Sequence, residues 1–594
     1  MTDFLYRLLY ITKGNYKSLI QMLVLFLFIS SLEVFGTGII SPFITIITKP
    51  DTIKSIDWLY LIYNQMNFHS GEQFSIIFGS LVIITFYLKA FLAFHAQRMV
   101  FKFSNSLRRD ISCKLLKVYI TAPYLYHLRI NSATLVQNII DSTDAVSFGV
   151  VSNTLTFVSN TIIVLALMLL LIKTNTIALI IIVVLLVVSF GLLHPMKDRL
   201  AHWSEQRFHA YGEIIRITNH GLGSLKETHV IGCESYFNDQ MEEQSRIYAK
   251  VNTLLSAYSN LPRFVLEPLM MSFLIGFTFL FITFNQDDTQ SLIGVLGIFS
   301  LASVRLIAAF GNLISGINVI RGNIYYLNRL FFDMKELKKE KLITDLDSHA
   351  LLPSNNQQKF QFFDKVILDS LTFRYPNTTR NLLEDISLSI RKGESIGLIG
   401  KSGAGKTTLV DVLLGLFIPQ FGDIKVDGVS VYSNLRAWQN MLGYVPQSIF
   451  LIDDTLERNI AFGVPDYLID QNKLKKAIQM AQLSEVVDQL PDGVKTIIGE
   501  RGVLLSGGQR QRVGIARVLY HEREILVFDE ATAALDTETE HLITEATKAL
   551  AGTKTIIIIA HRFSTIEHCD CIYQLEQGRI LKSGSYQEVI TGRC

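Results

Sequence analysis

Apolar positions are unevenly spread along this chain: they form long runs before residue 320 and only short, strand-length runs after 364. A bilayer core about 30 Å thick is crossed by a helix of about 20 predominantly apolar residues. Runs of that kind lie near 18–47, 74–97, 147–172, 176–194, 255–284 and 291–320, and they predict six membrane spans. The third and fourth are joined by Lys173-Thr174-Asn175-Thr176, a tight hairpin, whereas 98–146 and 195–254 are long polar connections. Basic residues set the orientation. Arg98, Lys102, Arg108, Arg109, Lys114, Lys117 and Arg129 follow the second span, while the other side carries little more than Lys49, Lys54 and Lys173. Both termini and the long connections are therefore expected in the cytosol.

Between the first two spans, Leu59, Ile62, Tyr63 and Met66 recur at i, i+3, i+4, i+7, the spacing of one helical face. Trp58, Tyr60 and Tyr63 are residue types that favour the membrane–water boundary. The segment 56–68 reads as a short interfacial helix on the outer leaflet, with a loop packed on the spans as the alternative.

Composition adds exclusions. At 594 residues the chain is too long for one domain. Its 55 basic and 53 acidic residues nearly cancel, so net charge says nothing about nucleic acid, and no nucleic-acid partner is expected. Cys113, Cys233, Cys569, Cys571 and Cys594 show no metal-ligand spacing and read as reduced thiols. Residues 1–16 lack the apolar core of a cleavable signal.

The chemistry lies after 364. Gly400-Lys401-Ser402-Gly403-Ala404-Gly405-Lys406-Thr407 matches G-x-x-x-x-G-K-[ST], whose backbone N–H groups cradle phosphates while the lysine reaches them and the hydroxyl holds Mg²⁺. The expected binding set is Gly400, Ser402, Gly403, Gly405, Lys406, Thr407 and Thr408. By itself this motif says only that a nucleotide binds. Further on stands Leu505-Ser506-Gly507-Gly508-Gln509, followed by the strand-like run Ile525–Phe528 that ends in Asp529-Glu530. In this order the motifs resemble the ATP-binding cassette (ABC) family.

The resemblance implies a fold, cofactors and residue roles. The fold would be an α-helical membrane domain with six transmembrane helices, of the type IV exporter class, plus an α/β P-loop nucleotide-binding domain. The expected bounds are 1–330, a linker 331–363, and 364–594. The cofactors would be ATP and Mg²⁺. Tyr375 would stack the adenine. Gln447 would contact Mg²⁺ and sense the γ-phosphate. Asp529 would hold Mg²⁺ with Thr407, and Glu530 would be the general base for the attacking water. His561 would contact the γ-phosphate, and Asp536 would couple two sites. The segment Gly499-Glu500-Arg501-Gly502 resembles an exporter loop that touches coupling helices, whose tips would lie near 123–126 and 233–237. Ser506, Gly507, Gly508 and Gln509 would complete the ATP site of a second subunit, which implies a homodimer; a heterodimer is the alternative. With both Glu530 and His561 in place, a pump is favoured over a channel or regulator.

Cargo is less legible. Lys89, Arg263 and Arg305 lie inside predicted spans, where an ionisable side chain costs roughly 2.5–3.5 kcal/mol at a helix centre. At about 1.5 Å rise per residue, Lys89 and Arg305 sit about 21–23 Å from the outer ends of their spans, and Arg263 about 32 Å. They read as a cationic layer for an anionic head group near the inner leaflet. The competing reading is internal pairing, Arg263 with Glu267 and Lys89 with Glu33. The membrane half, with its loop Gly221–Tyr236, resembles bacterial ABC-type lipid-linked oligosaccharide flippases. That implies a polyprenyl-pyrophosphate-linked glycan moved from inner to outer leaflet of the cytoplasmic membrane, with Lys89, Arg263 and Arg305 meeting the pyrophosphate. Lys89 keeps the charge of an arginine but lacks its bidentate fork. An exporter of another lipid, a drug or a peptide is the alternative.

Overall fold

The structure is a computed structural model that describes residues 2–12, 16–48, 61, 63–65, 71–174, 191, 196–284, 289–339, 360–376, 378–530, 537–560 and 562–591. Its contacts divide the chain into two units. Met1–Ala122 and His127–Ser348 form the first; Pro123–Tyr126 and His349–Cys594 form the second.

The first unit is helical. Among the described residues, four helical stretches are long and apolar enough to cross a membrane: Tyr16–Ile44, Gly71–Thr121, Ser132–Ile172 and Val304–Arg321. The run at 255–284 lies within the helix Glu234–Phe284, and the run at 176–194 falls outside the described residues apart from 191. Gly71–Thr121 has 51 residues, roughly 76 Å of helix. It exceeds a bilayer core of about 30 Å by more than twofold, so its polar half continues beyond the apolar one. Glu234–Phe284 packs along Lys197–Gly223 and along Thr289–Arg321, and Tyr16–Thr48 packs along Gly71–Thr121. Of the expected outer helix, Leu61 and Tyr63–Gln65 are described and helical. Tyr63 packs edge-on against Phe74, 5.5 Å between ring centres; the rest of 56–68 lies outside the described residues.

The helical unit runs further than the expected boundary at 330. Ile324–Lys339 is one helix, because Tyr326, Leu327, Leu330, Phe331 and Met334 form a buried stripe along it. The N-terminal helix Thr2–Ile11 covers that stripe, with Tyr10 edge-on to Phe331 at 5.3 Å.

In the second unit, two kinds of strand make two sheets. Lys365–Phe373 (β1) and Leu383–Arg391 (β2) largely alternate buried and open positions. They pair antiparallel, and with Phe421–Val426 (β4) and Val429–Ser430 (β5) give the order β2-β1-β4-β5. Ser395–Ile399 (β3), Ile525–Asp529 (β7) and Thr555–Ile559 (β8) are buried at every position, as parallel strands covered on both faces must be. Leu442–Val445 (β6), Cys571–Glu576 (β9) and Arg579–Gly584 (β10) extend them to β10-β9-β3-β8-β7-β6. Pro123–Tyr126 groups with this unit, the Tyr124 ring lying 5.9 Å from that of Phe417.

Strand β6 touches the helix Gly507–Tyr520 without clearance: a Cβ on Gly443 would fall 2.2 Å from Val518 Cγ1. Overpacking of this kind costs about 1–3 kcal/mol. Gly443→Ala is therefore expected to lower the thermal unfolding midpoint of the purified protein by several degrees. An unchanged midpoint would show that the helix retreats freely.

Candidate functional site

The parallel register brings four loops to one edge of the larger sheet. Ile559 of β8 pairs with both Leu398 of β3 and Asp529 of β7, and Val445 of β6 pairs with Phe528 of β7. Neighbouring strands lie about 4.8 Å apart, so Leu398 and Asp529 lie level with each other, roughly 10 Å apart, and Gly400 follows two residues beyond Leu398. Gln447 follows β6 at the same edge. His561 follows β8 in the chain but lies outside the described residues, as does Asp536.

The loop after β3 folds tightly against the sheet. At Gly400 (φ +151°) a Cβ would fall 2.3 Å from the Leu575 carbonyl oxygen, so no other residue fits. Gly403 and Gly405 also take positive φ, and Gly405 caps the helix Lys406–Leu413. Lys406 is 5% exposed. Its Nζ donates to the carbonyls of Gly400 (2.8 Å) and Lys401 (3.3 Å). Burial pulls its pKa down against the opposing influence of Glu530 and Asp529. Ser402 and Thr407 are exposed, whereas Thr408 is buried in the first helical turn. Of the two threonines, Thr407 is the one open to a ligand.

At the end of β7, Asp529 is 6% exposed, and the Tyr444 hydroxyl donates to its Oδ2 at 3.1 Å. Glu530 takes φ +48°, a region costly for a residue with a Cβ. Its N–H still donates to the Ile559 carbonyl at 3.1 Å. Its carboxylate Oε2 accepts from Gln447 Nε2 at 2.8 Å. The Gln447 carbonyl in turn accepts from Gln511 Nε2 at 2.7 Å. Two residues with separate expected roles thus touch, and a helix residue pins one of them.

Three residues of this site escaped the sequence reading: Tyr444, Gln511 and Asp411. The only trace of Tyr444 is an open position within the otherwise buried β6. Gln511 and Asp411 sit on helices whose own patterns give no hint of what they face. Burial first, and Asp529 second, push the Asp411 carboxyl up to about 6. The same two causes raise the Tyr444 hydroxyl.

Ser506 caps the helix Gly507–Tyr520 through a reciprocal capping box with Gln509. A Cβ on Gly507 would meet nothing within 4 Å, whereas Gly508 is buried. Tyr375 is half-buried, edge-on to Phe373 and Phe417 at 5.3 and 5.5 Å. Among the described residues no group of three His, Cys, Asp or Glu is placed to hold a metal. Thr407, Gln447 and Asp529 each carry a hard oxygen donor, the ligand type that Mg²⁺ takes.

In the helical unit, Lys89 and Arg305 both pair with Glu33: Lys89 Nζ with Oε2, and Arg305 Nε with Oε1 at 3.2 Å. Arg263 lies in the helix Glu234–Phe284, but its side chain is outside the described residues.

Residues 383–533 match the family described as ABC transporter. The chain is 30% identical over 494 residues to an ATP-dependent lipid A-core flippase of Ralstonia nicotianae, covering 82% of this chain and 80% of that protein. It is 43% identical over 223 residues to the protein of the same name from Alkalilimnicola ehrlichii, covering 37% and 38%. Among solved structures, a bacterial Atm1-family ABC exporter with ATP bound superposes with a TM-score of 0.73 at 22% identity, over 98% of this chain and 97% of that one. That likeness shows a shared fold.

Asp411 makes the site pH-sensitive when it holds no ligand. Folding raises its pKa from the ordinary 3.8 to about 6, so the folded state holds the proton more tightly than the unfolded one. Its contribution is favourable below the unfolded pKa and is lost as pH rises through the folded one. Without nucleotide or divalent cation, Asp411→Asn is expected to gain thermal stability over wild type as pH rises from about 4 to about 6. A difference in melting temperature that does not vary with pH would contradict this.

Proposed function

The chain belongs to the ABC exporter half-transporters, and we propose that it flips a phosphate-bearing lipid-linked oligosaccharide from the inner to the outer leaflet of a bacterial cytoplasmic membrane. Its cassette is an ATPase and its transport is ATP-driven. The observation that carries the cargo reading is the meeting of Lys89 and Arg305 on a single carboxylate inside the apolar helices. Two bases against one acid leave a positive excess where a lipid head group would pass. A polyprenyl-pyrophosphate glycan is the cargo this reading names. Lipid A-core is the second reading, favoured by the names of the relatives.

At the nucleotide site, the Gly400–Gly405 loop presents its N–H groups to the phosphates, and Lys406 exchanges its two carbonyl bonds for phosphate oxygens. Mg²⁺, when bound, neutralises charge on those oxygens; Thr407, Gln447 and Asp529 would hold it. Glu530 is the general base that orients and deprotonates the attacking water. Because Gln447 donates to Glu530, turning Gln447 toward the nucleotide also releases the base, so the two events are one. Tyr375 stacks the adenine, and His561 completes the γ-phosphate contacts. Ser506–Gln509 of a second copy closes the site from the other side, with Asp536 linking the two sites of a homodimer. The helix that Ser506 caps supports this, since its N-terminal N–H groups favour an anion. Basic flanks support cytosolic termini.

Two measurements test these roles. Glu530→Gln is expected to keep ATP binding while turnover falls by at least about 100-fold, the usual scale for a general base; turnover near wild type would remove Glu530 from that role. In proteoliposomes, ATP-driven movement of a short polyprenyl-pyrophosphate-linked sugar, absent with Glu530→Gln, is the expected outcome. Arg305→Ala should then lower flux more than ATPase rate. Intact ATPase with no movement would discard this cargo, and movement of lipid A-core alone would favour the second reading.

A further inference from the structure

Glu33, Lys89 and Arg305 come from three different helices, Tyr16–Thr48, Gly71–Thr121 and Thr289–Arg321. The carboxylate is the most buried of the three, 5% exposed against 13% for Lys89 and 42% for Arg305. It is shared unequally. Lys89 takes Oε2, and its ammonium also lies 5.7 Å from the centre of the Phe86 ring. Oε1 is buried and faces Arg305 Nε at 3.2 Å without hydrogen-bond alignment. One turn along the same helix, Thr37 is 1% exposed, and its Oγ1 has no hydrogen-bond partner among the described residues. A buried charge needs a counter-charge, and a buried polar atom needs a partner. Here a carboxylate supplies the first incompletely, and the second is missing.

We propose that Glu33 is an internal counter-ion standing where the phosphate of a cargo head group binds, and that it yields Arg305 to the incoming anion and reclaims it on release. The proposal rests on the reading that the cargo carries phosphate. Arg305 is the first base to change partner, because its contact is unaligned and its guanidinium half-open, with a planar fork that suits two phosphate oxygens. Lys89 stays on Glu33 and keeps that carboxylate from becoming an unpaired buried charge. A neutral head group has nothing to offer Arg305 and leaves the trio closed. A resident acid therefore selects for an anion and also limits how tightly it is held, which lets the cargo go at the far leaflet.

The test uses the full-length protein in nanodiscs, with equilibrium binding and dissociation rates for three probes: geranylgeranyl pyrophosphate, geranylgeraniol and lipid A. Glu33→Gln is expected to tighten binding of a phosphorylated probe by about fivefold or more, the usual floor for coupling between sites, and to slow its dissociation. Geranylgeraniol binding should not move. Glu33→Asp, which keeps the charge, should restore values close to wild type. Whichever phosphorylated probe responds identifies the source of the phosphate.

Unchanged affinity for both phosphorylated probes in Glu33→Gln, at wild-type thermal stability, overturns the proposal while leaving the cargo reading intact if wild type binds them. Binding by Glu33→Gln but not by wild type shows that Glu33 does not yield Arg305 to an anion, and overturns the proposal together with the cargo reading. Binding by neither overturns both. If Glu33→Gln does not fold, the paired variant Glu33→Gln/Lys89→Gln removes the ion pair as a unit, a change buried pairs often tolerate. Phosphorylated-probe affinity at or above wild type then supports the proposal, and weaker binding overturns it.

Discussion

Parallel pairing in a common register is the constraint on which the nucleotide site depends. Because Ile559 is the partner of both Leu398 and Asp529, the phosphate loop and the acidic pair leave the sheet at one level. Loops at the carboxyl edge of a parallel sheet meet in the crevice beyond it, the general location of ligand sites in such folds. Every residue of β3, β7 and β8 is buried, and a slip in their register would drag the loops that follow them out of line. Rigidity in the sheet is thus converted into position for side chains that have no rigidity of their own.

Within that frame the site is held under tension. Glu530 sits at φ +48° and is retained there by its backbone bond to Ile559 and its carboxylate bond to Gln447. Burial first, and the nearby Asp529 second, push the Asp411 carboxyl up to about 6. Lys406 is folded back on the carbonyls of its own loop.

The membrane half obeys the opposite rule. In the cassette, charge is gathered at one edge of the larger sheet; among the apolar helices, charge is tolerated because it is paired. In the sequence Lys89 and Arg305 are cations in an expensive place, with anion binding and internal pairing as competing explanations. The structure supplies the pairing with Glu33 for both bases, yet one carboxylate cannot neutralise two cations. Both explanations therefore keep a share, and the arithmetic of charge decides where a phosphate would act.

Much of this protein is determined locally and can be read without coordinates. The apolar runs set the helical unit, because a helix satisfies its own backbone groups wherever it lies. The phosphate loop is legible because its glycines are demanded by backbone geometry, as Gly400 against Leu575 illustrates. The order of Gln447, Ser506 and Asp529-Glu530 identifies the family for the same reason: each motif does its work within a few residues. What the sequence could not determine are the meetings across long separations. Gln447 with Glu530, Tyr444 with Asp529, Gln511 with the Gln447 carbonyl, and Arg305 with Glu33 all depend on strand order and helix packing. Side-chain periodicity says which face of an element is buried but not what it is buried against, and that second fact belongs to tertiary structure alone.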